Sequence, residues 1–188
     1  VIDVAVISLG RPDRQEAFVA RAERASVQFR WADGVVETRP DYFRGSNGAW
    51  GCARAHGTLL MSGHGDLLVL EDDADLPVDF WVQFDAACAK LPVGWGLLKL
   101  GGQHIKQPLP IADGLVRPRY MIRTHAYFVH SNYREHVAAA AVGATGAWDG
   151  HFARLDHFGR SYAPSPLIVP VYASPSDIPD SLPWEAFK

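Results

Sequence analysis

Leu67-Leu68-Val69-Leu70-Glu71-Asp72-Asp73-Ala74-Asp75 sets four consecutive apolar residues directly against three adjacent carboxylates. An unbroken apolar run of this length has the pattern of a strand buried on both faces, as in a sheet covered by helices. Carboxylates crowded at the end of such a strand repel one another. Loss of solvent raises their pKa values unless positive charge sits among them. Mg²⁺ or Mn²⁺ supplies such charge, since hard ions take oxygen ligands and keep positions open for phosphate oxygens. If extended geometry persists past Leu70, Glu71 and Asp73 face one side and Asp72 the other. A solvated acidic turn closing the strand is the alternative, and the motif alone leaves both open.

The surrounding 188 residues are 48% hydrophobic and 21% charged, in the range of one globular domain able to bury a sizeable core. A net charge of −3 excludes the global basic field that draws proteins to nucleic acid or anionic membrane. Local basic residues can still hold phosphate. Cys52 and Cys88 fall on separate candidate helices and show neither a disulfide framework nor metal-ligand spacing, so a reduced, cytoplasmic setting is expected. No integral membrane segment is expected, because no apolar run reaches bilayer-spanning length and the first residues lack a signal-peptide pattern. The sequence opens on Val1 rather than methionine, compatible with a trimmed chain.

Upstream of the acidic run, Val4–Leu9 predicts a first buried strand, stopped by Gly10 and Pro12. A helix then reaches about Ala25. Arg11 and Arg14 lie near the loop where a phosphate can rest, or are simply solvated. Val27–Trp31 alternates as a half-buried strand and leads into Ala32-Asp33-Gly34, a turn whose aspartate either accepts from a ribose or base or only shapes the turn. Residues 35–49 are irregular and predict a surface loop, a candidate acceptor-side flap. Cys52, Ala55, His56, Leu59 and Leu60 then follow helical spacing and predict a helix over Gly51–Met61. His56 lies on its apolar face, as a hydrogen-bonded core residue or as a ligand.

Downstream, Trp81, Phe84, Cys88 and Leu91 mark the core face of a helix over Val78–Lys90, with Pro77 in the favoured first position. Trp95–Leu100 predicts a strand. Gly101-Gly102-Gln103-His104 is its loop, open enough for a substrate to approach the backbone, although the glycines can serve the turn alone. A short strand at Leu115-Val116 precedes a longer one over Arg123–Val129. Ser131 or Asn132 then caps a helix to Val142, with Glu135 placed as in a capping box. Gly143–Ala147 links to Trp148-Asp149-Gly150-His151-Phe152, where Asp149 and His151 form a base and a cation ligand, or else an N-cap and a surface histidine. Pro164–Pro170 predicts an edge strand, followed by a terminal arm.

Strands alternating with helices, with acidic residues just beyond a strand, predict an α/β sandwich whose ligand binds at the strand ends. In detail the sequence resembles glycosyltransferase family 25, the lipopolysaccharide and collagen galactosyltransferase-like group of GT-A type fold. The resemblance runs through Val6-Ile7-Ser8-Leu9 with Arg11 and Arg14, Ala32-Asp33-Gly34, Gly48-Ala49-Trp50-Gly51-Cys52 with His56, Leu68–Ala74, Thr124-His125-Ala126-Tyr127 and Trp148-Asp149-Gly150. Ala55 departs from it, standing where the family commonly has serine.

The resemblance implies a single-domain GT-A-like α/β/α sandwich with a mixed central sheet over residues 1–188. Residues 1–100 would form its nucleotide-sugar half, 101–175 its acceptor half and 176–188 a C-terminal tail. It implies a metal-dependent hexosyltransferase-like enzyme that takes a sugar from a UDP-sugar and transfers it, with inversion, to an acceptor hydroxyl. Asp73 would hold Mn²⁺ or Mg²⁺, with His151 a further ligand and Asp149 the base. Ser8, Leu9, Arg11, Asp33, Gly34, Glu71 and Asp72 would bind the donor, and Gln103 and His125 would face the sugar or acceptor. Glycan, lipid-linked, protein and modified-nucleobase acceptors all remain open. Lipopolysaccharide biosynthesis is the setting that the family name suggests. A metal-dependent phosphoesterase and an inactive nucleotide-sugar or glycan-binding protein on the same fold are the competing readings.

Overall fold

Along the first strand Val4 and Val6 face one way and Ala5 and Ile7 the other, and all four are buried. A strand with two apolar faces needs a covering layer on each. The computed structural model, which describes residues 2–170, supplies both layers. In chain order its elements are β1 (Asp3–Ser8), α1 (Pro12–Arg24), β2 (Arg30–Asp33), α2 (Asn47–Met61), β3 (Leu67–Glu71), α3 (Phe80–Cys88), β4 (Leu97–Lys99) and β5 (Gln103–His104). There follow β6 (Leu109–Ala112), β7 (Leu115–Arg117), β8 (Met121–Ile122), β9 (Ala126–Val129), α4 (Ser131–Val142), α5 (Trp148–Arg154), a 3-10 turn at Leu155–Phe158, and β10 (Ser161–Pro164).

Eight strands form one mixed sheet in the order β2-β1-β3-β9-β4-β10-β7-β6, and β5 pairs with β8 in a separate ribbon. β1 runs parallel to β2 and β3, so these three strands end on the same edge of the sheet. β9 enters antiparallel between β3 and β4 and brings the second half of the chain into the centre. Ala5, Ile7, Leu67, Val69, Tyr127 and Val129 pack under α2, α4 and α5. Val4, Val6, Leu68, Leu70, Ala126 and Phe128 pack under α1 and α3. The result is the expected α/β/α sandwich with a mixed central sheet.

Several boundaries differ from expectation for local reasons. The half-buried strand predicted at 27–31 begins instead at Arg30, where pairing with β1 starts, and Asp33 ends it rather than sitting in a turn. α2 starts at Asn47 because the Ser46 hydroxyl accepts from the Ala49 N–H at 3.1 Å, which shortens the loop expected to reach residue 49. That loop is anchored, with Phe43 buried and the Arg44 N–H on the Thr145 carbonyl. α3 spans Phe80–Cys88, so Pro77 precedes the helix rather than opening it, and Trp81 is only partly buried. α4 is capped by the His130 ring, not by Ser131 or Asn132, since the Ser131 N–H donates to Asp66 at 2.7 Å.

The strand expected at 123–129 begins only at Ala126, as β9, and Arg123, between it and β8, has φ 73°. Gln103 and His104 form β5 rather than a loop. Gly101 is closed by the chain itself: a Cβ there would lie 2.2 Å from the His125 ring and 2.3 Å from the Val169 carbonyl. β6 was not anticipated, although Asp113-Gly114 between Ala112 and Leu115 is a hairpin signal, and Gly114 takes φ +70°. The edge strand predicted at Pro164–Pro170 is replaced by β10, an interior strand between β4 and β7 that ends at Pro164. The expected tail at 176–188 lies outside the described residues.

Among the described residues no helix is long and apolar enough to cross a membrane. Both cysteines are free. Burial, and then the Asp85 carboxylate, pushes the Cys88 thiol up to about 12. Because the thiolate is the reactive form, alkylation of Cys88 by iodoacetamide at mildly alkaline pH is expected to run at least about tenfold slower than that of free cysteine. Its rate should keep climbing with pH after the free thiol has levelled off, as read by mass spectrometry of the Cys88 peptide. A rate equal to that of free cysteine would contradict this placement.

Candidate active site

β1, β2 and β3 end together, and the turn after β3 closes as the Ala74 N–H bonds the Glu71 carbonyl at 3.0 Å. Extended geometry therefore stops at Glu71. Instead of alternating sides, Glu71, Asp72 and Asp73 all line one cavity of about 510 Å³. Its opposite wall is the first half of α2 and the segment Gly34–Glu37, which approaches so closely that a Cβ on Gly51 would lie 2.0 Å from the Val35 carbonyl.

The positive charge that the acidic run requires comes in part from the protein. The Arg14 guanidinium pairs with Asp72 and lies 3.8 Å from Asp73. Buried Arg21 braces the turn from below, donating to the carbonyls of Asp72 at 2.8 Å and Ala74 at 3.1 Å. The Ser8 hydroxyl donates to Asp72 at 2.8 Å and accepts from the Gly10 N–H. Asp72 is thus well satisfied, whereas Asp73 Oδ1 is buried without a hydrogen-bond partner among the described residues. Burial, then Glu71 and Asp72, push the Asp73 carboxyl up to about 7 against the pull of Arg14.

Glu71 has the opposite environment. Burial works to raise its pKa, but hydrogen bonds and charge from His56 and the Thr124 hydroxyl hold it down at about 2. Thr124 Oγ1 donates to Glu71 Oε1 at 2.7 Å and His56 Nε2 lies 3.2 Å from the same oxygen. A carboxylate only accepts, so His56 Nε2–H donates to Glu71, and Nδ1 bonds the Tyr127 hydroxyl at 2.9 Å. His56 is therefore the hydrogen-bonded, fully buried core residue of the first expectation, and it also forms part of the cavity wall.

Of the residues expected at a donor site, Ser8, Leu9, Gly34, Glu71, Asp72 and Asp73 line the cavity together. Asp33 is exposed at the end of β2 beside it. Arg11 does not line the cavity; its guanidinium pairs with Asp13 at 2.8 Å. Asp149 lies on α5, and its pKa is raised by burial and by Glu71 against His56 and Arg123. It therefore lies in the electrostatic range of the carboxylate cluster.

The remaining expectations meet other constraints. His151 has its Nε2 accepting from the Thr145 N–H at 3.2 Å, so that nitrogen serves the start of α5 rather than a cation. His125 is buried, with Nε2–H donating to the Val169 carbonyl at 2.9 Å, and does not line the cavity. Gln103 is half-buried on β5. Cys52, Thr124 and Tyr127, quoted above without a site role, surround His56 and Glu71. One signal was present: Cys52 and His56 stand four apart on a helix, and so on one face.

No protein-family model matches the chain. Comparison with curated proteins likewise gives no relative. Among solved structures the chain is similar to a glycosyltransferase involved in the glycosylation of the major capsid of PBCV-1, at 10% identity and TM-score 0.41, over 75% of this chain and 65% of that one. It is also similar to Drosophila β1,4-galactosyltransferase 7, solved as a mutant with manganese, UDP-Gal and xylobiose, at 12% identity and TM-score 0.37, over 73% of this chain and 52% of that one. The chain spans less than two thirds of the length of either protein.

Proposed function

We propose that the chain is a metal-dependent glycosyltransferase of GT-A type, similar to family 25, which moves a sugar from a nucleotide-sugar donor, with UDP-sugars first in line, to an acceptor hydroxyl with inversion. The observation that carries this reading is the cavity at the ends of three parallel strands, where Ser8, Leu9 and Gly34 meet three carboxylates, one of them with a buried oxygen unpartnered among the described residues. Ligands of open α/β sheets sit at this edge.

In this reading Ser8, Leu9, Gly34 and exposed Asp33 hold the nucleoside, and Arg14 fixes the acidic turn. A divalent cation suits the remaining donors: Asp73 Oδ1 needs a partner, and an all-carboxylate set favours Mn²⁺ or Mg²⁺. When bound, the cation offsets the negative charge that grows on the leaving nucleoside diphosphate. Glu71, kept ionised by His56 and Thr124, orients the cation or ribose. Asp149 takes the proton of the acceptor hydroxyl. Gln103 stays on the acceptor side, where glycan, lipid-linked, protein and nucleobase hydroxyls are the candidates.

Calorimetric titration of a nucleotide-sugar panel, with and without Mn²⁺, tests the donor site. Binding should require the cation, and Asp73→Asn should weaken it at least about 100-fold, as expected for loss of a ligand. Equal binding by the variant would remove Asp73 from the site. Rapid phosphate release from simple phosphoesters without an acceptor would favour a hydrolase.

A further inference from the structure

Cys52 and His56 stand one turn apart on α2, and both face Glu71 at the end of β3. The Cys52 Sγ, a His56 ring nitrogen and a Glu71 carboxylate oxygen all lie within 4.8 Å of one another. We propose that these three side chains form a second cation site in the same cavity, one that takes a transition metal of the Zn²⁺ class rather than Mn²⁺ or Mg²⁺.

Four observations support the assignment. The first is spacing: two ligands on a tetrahedral Zn²⁺ stand roughly 3.3 Å apart, from the usual Zn–N and Zn–O bond lengths. His56 Nε2 and Glu71 Oε1 are already 3.2 Å apart. The second is support from the surroundings. Tyr127 fixes the far side of the His56 ring and Thr124 fixes the Glu71 carboxylate, as outer-shell groups do at built metal sites.

The third is chemistry. A thiol and an imidazole beside one carboxylate form a donor set that hard ions bind poorly and Zn²⁺ binds well. The fourth is access: all three residues line the cavity, so three protein ligands leave a fourth position open to it.

Binding balances without an outside reagent. The Cys52 thiol loses its proton to solvent as the Zn–S bond forms. The bound His56 ring is neutral, with Nε2 on the metal and its one proton on Nδ1, donated to the Tyr127 hydroxyl; any further ring proton passes to solvent with that of Cys52. Burial and the nearby Glu71 and Asp149 charges hold the free thiol well above its ordinary pKa, so in the absence of metal it is the neutral form. The site does not depend on sugar transfer, and its test does not read activity.

Co²⁺ is the probe, titrated into the reduced full chain. One equivalent should produce a thiolate-to-cobalt charge-transfer band in the near ultraviolet, together with the intense visible bands of four-coordinate cobalt. Cys52→Ser should lose the charge-transfer band and weaken Zn²⁺ binding, measured against a chromophoric chelator, at least about 100-fold. Cys88→Ser and Asp73→Asn should keep the band. Absence of the band in the native protein would overturn the proposal, and that arm stands even if a variant misfolds. Loss of the band in Cys88→Ser, or in Asp73→Asn with a native circular dichroism spectrum, would also overturn it.

Discussion

Asp149→Asn is expected to slow sugar transfer by about 100- to 10,000-fold while leaving nucleotide-sugar binding unchanged, the size usual for a positioned general base. The substitution keeps the shape of the side chain and one of its oxygens. It removes only the ability to take a proton. Folding should not suffer, because burial disfavours the ionised Asp149 carboxylate and an amide carries no charge to desolvate.

The assignment rests on a contrast between neighbouring carboxylates. Glu71 is held at about 2 by His56 and Thr124 despite its burial, a poor base suited to binding. Asp149 is raised by burial and by Glu71 itself, which makes it the better base of the two. Single-turnover transfer, with donor affinity measured separately, distinguishes the roles. A variant that retains transfer within tenfold of the native rate would move the base elsewhere.

The strands that build the sheet were legible because their signals are local. Val4–Leu9 and Leu67–Leu70 are apolar on both faces, and that alone demands covering layers on each side. The acidic cluster was legible as chemistry, but its geometry was not. Strand alternation put Asp72 opposite its neighbours, and only the turn held by Arg21 gathers all three carboxylates on one cavity. Arg21 acts across a large sequence separation, which no window of residues contains.

The same limit explains His56. Its helical face was evident, but its partners Tyr127 and Glu71 arrive on β9 and β3, which lie side by side through antiparallel pairing. Likewise, the left-handed Arg123 breaks a segment whose composition is β throughout. Composition records propensity, whereas the break goes with a long-range bond, from the Glu71 N–H to the His125 carbonyl.

Lys99→Ala is expected to cost about 3–5 kcal/mol of stability, the usual penalty for stripping one partner from a buried ion pair. For a chain of this size that corresponds to a Tm drop on the order of 10 °C. Lys99 sits inside the apolar run of β4 with its side chain wholly buried. Its ammonium lies 2.8 Å from Asp156 Oδ1, donates to the carbonyls of Met121 and Phe152 at 3.1 and 3.2 Å, and sits 4.2 Å from the centre of the Phe152 ring. Asp156 Oδ2 in turn accepts from the Met121 N–H at 2.9 Å.

The pair therefore fastens β4, the start of β8, α5 and the turn after it. Burial lowers the Lys99 pKa to about 8 even with Asp156 pulling it back up, which shows how much desolvation opposes the charge. The destabilisation in Lys99→Ala then comes mainly from Asp156, left without its cationic partner in an apolar site. Lys99→Met combined with Asp156→Leu should recover most of the loss, because neither charge is then buried. Thermal and urea unfolding of the single and double variants measure this directly. A single-variant loss below about 1 kcal/mol would mean that the pair fastens nothing. Since α5 carries Asp149, a Lys99→Ala protein that remains folded should bind donor normally yet transfer sugar more slowly, which would connect the buried pair to the proposed base through one short helix.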